Sequence, residues 1–241
     1  MGIYHRFPEL PQQNASRKQI RGAIQERFGI NDEQFRLYLC IEVTRLESPH
    51  ARLFHTDSIL HIHPNFDRAI QLLFLRDEHA HLFLLSTSSR KRWKEQLAAR
   101  MSSTLPDDRV HFFTDVDTKQ ELLLLTTADA VVSSLHMTRP RAAFQAFSVS
   151  VPVVALPGEL WASRITYGLY KQMGIEELLA VSIEDYVEIA HKLATNATFH
   201  EAMKIKIQNR LHQLSESRQA VEEWEKFFEF AGSRILADDE H

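Results

Sequence analysis

Apolar residues recur along this chain at two spacings that take turns. Ile20, Ala23, Ile24 and Phe28 stand three or four positions apart, which predicts a helix over 16–28 closed by Gly29. Residues 35–43, rich in β-branched and aromatic side chains, predict a strand. A charged, proline-bearing loop of unusual length follows at 44–58. Beyond it the alternation becomes regular. Pro64 opens a helix that carries Phe66, Ala69, Ile70, Leu73 and Phe74 on one side. Strands are then expected over 81–85, 109–113, 130–132 and 151–156, and helices over 89–102, 118–127 and 140–147. Helices alternating with short, wholly apolar strands predict an α/β fold: a Rossmann-like parallel sheet with helices on both faces, joined by right-handed crossovers.

The last third has only the helical spacing, over 161–173, 182–194, 198–214 and 217–236. Ser182 followed by Asp185 is a variant of the capping pattern. A helical tail from about residue 160 is therefore expected to close the sheet domain. Residues 1–15 are polar and contain prolines, and read as a loose arm or linker, leaving 16–236 as one domain.

Composition narrows the classes of function. The chain has 241 residues, 44% hydrophobic and 25% charged, with a net charge of -4, so neither disorder nor a polyanionic partner is implied. Nucleic acid is not an expected partner, and neither is a membrane, because no apolar run reaches the roughly 18 residues of a span. The N-terminal residues lack the apolar core of a signal peptide, which reads as an intracellular, cytoplasmic protein. A single cysteine, Cys40, excludes an intrachain disulfide framework and a cysteine-based zinc cluster. Seven isolated glycines cannot assemble a P-loop, a dinucleotide fingerprint or a kinase loop, all of which need clustered glycines to bring backbone N–H groups to phosphate.

In an open α/β sheet, ligands bind beyond the carboxyl ends of the strands, so chemistry is sought in the loops that follow them. The loop after the fifth predicted strand, Pro157-Gly158-Glu159-Leu160-Trp161-Ala162-Ser163-Arg164, is either a tight strand-to-helix turn or a segment that turns Ser163 and Arg164 to the cleft. In the turn reading, Glu159 opens the following helix and suits its positive end. Arg139 and Arg141 flank Pro140 at another helix start, where they form an anion site or a solvated turn. His61-x-His63 and His79-x-His81 would each place two imidazoles on one face of an extended segment, with Asp57 or Asp77 as further metal ligands. Thr87, Ser88, Ser89 and Arg90 form a helix cap or a phosphate contact. Trp224, Phe227, Phe228 and Phe230 are read as packing residues or a partner-facing stripe.

Residues 152–164 resemble the signature Pro-x-Val-x-x-Pro-Gly-Glu-x-x-Ala-Ser-Arg of the protein O-GlcNAc transferase family. Met173-Gly174, Glu184-Asp185-Tyr186 and Lys192-Leu193-Ala194 continue the likeness downstream. Upstream it includes Ile62-His63-Pro64, the run 79–85, Leu105-Pro106 with Arg109-Val110, and Ala128-Asp129. The resemblance implies a GT-B architecture of which this chain holds the C-terminal, nucleotide-sugar-binding lobe. It also implies transfer of a sugar from a UDP-sugar to a protein hydroxyl, without a metal.

The family grips UDP with a lysine before the Ile-x-Pro segment, a Lys and a His around the fourth helix, and a Gly-His-Thr-Thr loop followed by an Asp. At these positions this chain carries His61, Lys119 with Glu121, and Leu135-His136-Met137-Thr138-Arg139-Pro140-Arg141, with Gln145 in place of the Asp. The resemblance thus assigns the nucleotide-sugar site to His61, Lys119, His136, Thr138, Arg139, Arg141, Ser163 and Arg164. His61 has an ordinary pKa near 6.5 and is a poor substitute for a permanent cation. These departures leave two readings open: a glycosyltransferase lobe whose acceptor side comes from a partner chain, or an inactive glycosyltransferase-like domain serving as a binding or scaffolding module.

Overall fold

The computed structural model describes residues 5–6, 16–40, 62–86, 91–138, 140–215 and 218–238. The helical spacing at the start folds as α1 (Arg17–Phe28), capped reciprocally by Ser16 and Gln19 and ended by Gly29 in the left-handed region, φ 65°. The first regular strand is β2 (Arg36–Cys40), and the alternation continues through α2 (Pro64–Arg76), β3 (Ala80–Ser86), α3 (Lys91–Ser102), β4 (Val110–Thr114), α4 (Thr118–Thr127), β5 (Ala130–Val132), α5 (Pro140–Ser148) and β6 (Val153–Val154). Within the segment read as an arm, β1 (His5–Arg6) pairs with Phe113 and Thr114 at the sheet edge.

All pairings are parallel, in the order β1-β4-β3-β2-β5-β6. The chain steps outward from β2 through β3 to β4, then returns across β2 to β5 and β6. Right-handed crossovers therefore put α2 and α3 on one face and α4 and α5 on the other. Packing agrees, since α4 touches α1 and α5 while α2 packs against α7. The central strands are apolar on both faces, with Leu37, Tyr38, Leu39, Leu82, Phe83 and Leu84 all buried, as a sheet covered twice requires. Strand order reverses between β2 and β5, and the crevice at their carboxyl ends is the topological switch point.

The tail is α6 (Ile165–Met173), α7 (Ile183–Thr195), α8 (Ala197–Arg210) and α9 (Arg218–Asp238). The helix expected over 161–173 is broken: a 3-10 turn over Trp161–Ser163 precedes α6, and Glu159 stands in the turn before both rather than at a helix N-terminus. Ser182 caps α7 by accepting from Asp185 N at 3.1 Å, while the Asp185 carboxylate takes the N–H of Val181, one residue before the cap. The tail is more than a cover. Tyr170 of α6 donates to Val153 O at 2.9 Å and accepts from Val153 N at 2.8 Å, and Tyr186 of α7 donates to Ser133 O. Two tyrosines thereby hold β6 and the loop after β5 in place.

The aromatic stripe of α9 does not pack into the core. Trp224, Phe227, Phe228 and Phe230 are exposed, and the first three meet one another at 5.6 to 5.7 Å between ring centroids. No helix among the described residues is long and apolar enough to cross a membrane.

Candidate functional site

Three segments converge on the switch point: the loop after β5, the loop after β6, and the N-terminus of α2. The first two are fastened together. Ser133 donates to Val154 O through both its backbone N–H (3.1 Å) and its hydroxyl (2.9 Å). Ser134 Oγ donates to Met137 O and closes the loop on itself. Thr138 then donates to Ala162 O twice, from its N–H at 2.8 Å and its hydroxyl at 3.0 Å. Thr138 is buried, and its hydroxyl proton is committed to that carbonyl.

Ser163 behaves in the same way. It accepts from Gly158 N at 3.0 Å and donates to Leu160 O at 2.7 Å, so it closes the 158–163 turn from within. Gly158 is required by this closeness, because a Cβ there would lie 2.9 Å from Ser163 Oγ. Arg164 is exposed; it donates to Gly158 O at 3.1 Å and lies 4.7 Å over the Tyr167 ring. The turn alternative for this loop is therefore the one the geometry displays, with Ser163 and Arg164 shaping it. Leu160 and Trp161 stand exposed beside it, at 67% and 78%.

At α2, Pro64 takes the first helical position and His63 is the cap, its Nδ1 accepting from Asn65 N at 3.1 Å. The Asn65 amide nitrogen lies 3.1 Å from His136 Nε2, and the His63 and His136 rings meet edge to face at 4.3 Å. Segments 71 residues apart are thus joined across the crevice. Burial, and then the neighbouring His63, push the pKa of His136 below its ordinary value, so at pH 7 this ring is neutral.

On the other flank, Glu121 of α4 is buried and accepts from the Gln145 amide of α5 at 3.3 Å. The second oxygen of Glu121 and the Gln145 carbonyl oxygen are buried with no hydrogen-bond partner. Burial raises the Glu121 pKa to about 7 against the smaller opposing effects of Gln145 and of Arg141. This contact brings the first turn of α4, with the exposed Lys119, up to α5, whose first turn bears the half-buried Arg141. Lys119, Arg141 and Arg164 are permanent cations on these segments, and the N-termini of α2 and α5 add oriented backbone dipoles.

His61, Arg139, Asp57 and residues 87–90 lie outside the described residues. The metal pairing proposed for His79 and His81 is not formed. His79 turns to Asp32 at 2.8 Å, whereas His81 faces His111 at 2.9 Å, and Asp77 takes Tyr38 and Arg36. No group of three or more His, Cys, Asp or Glu suited to a metal occurs among the described residues. Asn65 escaped the sequence reading. Its only signal there was a polar residue just after a helix-opening proline.

The sequence profile of glycosyl transferase family 41 matches residues 83–221. No curated protein matches the chain by sequence. Among solved structures, a mutant of the Thermobaculum terrenum O-GlcNAc transferase is similar with TM-score 0.65 and 20% identity, over 86% of this chain and 37% of that one. TarM gives TM-score 0.55 and 15% identity over 82% and 36%, respectively. HepE of Anabaena, solved with UDP and glucose, gives 0.52 and 16% over 84% and 51%. This chain therefore spans between about a third and about half of the length of those proteins. At such identities the likeness shows the shared fold, the Rossmann-like lobe that the resemblance implied.

Proposed function

The chain belongs to glycosyl transferase family 41, and from that membership we propose that it is the nucleotide-sugar-binding lobe of a glycosyltransferase that moves a sugar from a UDP-sugar to a protein hydroxyl. The observation that carries this reading is the joining of α2, the β5 loop and the β6 loop at the switch point through Asn65–His136 and Thr138–Ala162. A diphosphate needs fixed donors and positive charge held at one place. Arg141, Arg164 and Lys119, with Arg139 as a further candidate, supply charge, and His61 is a further candidate for a polar contact. The N-terminus of α5 and the imidazoles of His63 and His136 supply donors, whereas the first N–H groups of α2 are spent on His63. Such groups stabilise a leaving diphosphate electrostatically, without a metal. Thr138 and Ser163 serve by shaping the loops, because their hydroxyl protons are spent on backbone carbonyls. The domain is residues 16–236 with β1 (His5–Arg6) added at the edge of its sheet, and its acceptor side is supplied by a partner chain or by the acceptor protein itself.

A second reading, a binding module without catalysis, is favoured by one observation: the family's histidine and aspartate are replaced by the buried pair Glu121 and Gln145, whose unpartnered acceptors offer nothing to a phosphate. Calorimetric titration with UDP and UDP-GlcNAc separates the two. Micromolar binding that is lost in Arg139→Ala/Arg141→Ala supports the donor site, and no heat at millimolar nucleotide removes it.

A further inference from the structure

We propose that Asn65 is a positioning residue of this site, holding His63 and His136 in opposite neutral tautomers so that each ring turns one N–H toward the phosphoryl oxygens of the ligand. The inference rests on the functional reading above.

The chemistry follows from what each atom can do. A backbone N–H only donates, so the His63 Nδ1 that lies 3.1 Å from Asn65 N bears a lone pair. The proton of neutral His63 is then on Nε2. A side-chain amide nitrogen also only donates, so the His136 Nε2 at 3.1 Å from Asn65 Nδ2 bears a lone pair, and the proton of neutral His136 is on Nδ1. One residue thus sets both rings from its two nitrogens. The rings meet edge to face, 4.3 Å apart at 64°, so the two orientations are set side by side. Protonating His63 Nδ1 or His136 Nε2 would break a bond to Asn65, and the depressed pKa of the partly buried His136 agrees with a neutral ring.

The functional consequence is directional. Neutral N–H groups held in advance orient acceptor oxygens without reorganising when the ligand arrives, while net charge is left to the arginines and helix ends. A mobile imidazole that exchanged between tautomers would present phosphate with a lone pair in one of them.

The test records long-range nitrogen-15 spectra of the histidines in the full chain, free and titrated with UDP, for the wild type, Asn65→Asp and Asn65→Ala. The expected wild-type spectra show His63 protonated on Nε2 and His136 on Nδ1. Asn65→Asp, whose carboxylate accepts and still suits a helix N-terminus, moves the His136 proton to Nε2 and weakens UDP about tenfold or more, with the unfolding midpoint nearly unchanged. Asn65→Ala leaves His136 in a mixture of tautomers with a smaller loss. A wild-type His136 protonated on Nε2, or undiminished UDP affinity in Asn65→Asp, overturns the assignment while the donor site stands. The predicted tautomers without any UDP binding in the wild type overturn the functional reading and the ligand role together, and reduce Asn65 to a helix-capping contact.

Discussion

Thr138 and Ala162 are joined by two hydrogen bonds to one carbonyl, from the Thr138 N–H at 2.8 Å and its hydroxyl at 3.0 Å. This pair sets the distance between the loops after β5 and β6, so the shape of the crevice depends on it. Thr138→Val keeps the volume and the N–H but removes the hydroxyl. A loss of about 1 kcal/mol in urea unfolding is expected, together with weaker UDP binding in calorimetry. Unchanged nucleotide affinity in this variant would show that the two loops need no such clasp.

Tyr170 makes the corresponding prediction for the tail. Its buried hydroxyl serves both the N–H and the carbonyl of Val153, so Tyr170→Phe leaves a donor and an acceptor stranded at the end of β6. The expected cost is about 2 to 3 kcal/mol in equilibrium unfolding. A variant as stable as the wild type would separate the helical tail from the stability of the sheet.

Glu121 predicts a pH dependence of known sign. Its pKa is raised by burial to about 7 in the fold and lies near 4.5 in the unfolded chain, so between those values the folded state holds a proton that the unfolded state has released. Its contribution to stability is therefore present below pH 4.5 and is lost as the pH rises to 7. Glu121→Gln is neutral throughout and should gain up to about 3 kcal/mol over the wild type at pH 8, and little at pH 4. Denaturant unfolding at the two pH values reads this, and an equal effect at both would refute it.

The buried imidazole of His81, which meets that of His111, acts in the opposite direction. One donates to the other at 2.9 Å, and burial lowers the pKa of His81, followed by the repulsion of Arg109. The stabilising contribution of neutral His81 is full above the unfolded value of 6.5 and is lost as the pH falls below it. In His81→Phe/His111→Phe the decline of stability between pH 6.5 and 5 should become shallower than in the wild type. The same slope in both proteins would place the acid sensitivity elsewhere.

How far the sequence spoke for the structure differs from place to place. Pro64, Gly29 and the alternation of apolar runs identify α1, α2 and the parallel strands because periodicity and caps are local signals. The break at Arg164 was hidden, since the 3-10 turn before it depends on Ser163 reaching back to Leu160 and Gly158. Ser163 and Thr138 were identifiable as hydroxyls near the site, but a residue type does not reveal that its proton goes to a backbone carbonyl. Asn65 was illegible because its partner, His136, is 71 residues away and meets it only once the sheet has reversed its order. The stripe at Trp224, Phe227 and Phe228 has a spacing that suits a core or an interface equally, and it is the fold that leaves these rings exposed.

Whether a UDP-sugar is held in the crevice between β2 and β5 is read by amide chemical-shift mapping of the isotope-labelled chain during titration with UDP. Saturable shifts are expected to cluster at 63, 65, 133–138, 141–142 and 158–164, with the amino ends of the strands silent. Saturable shifts centred elsewhere, or none at millimolar UDP, would contradict such binding.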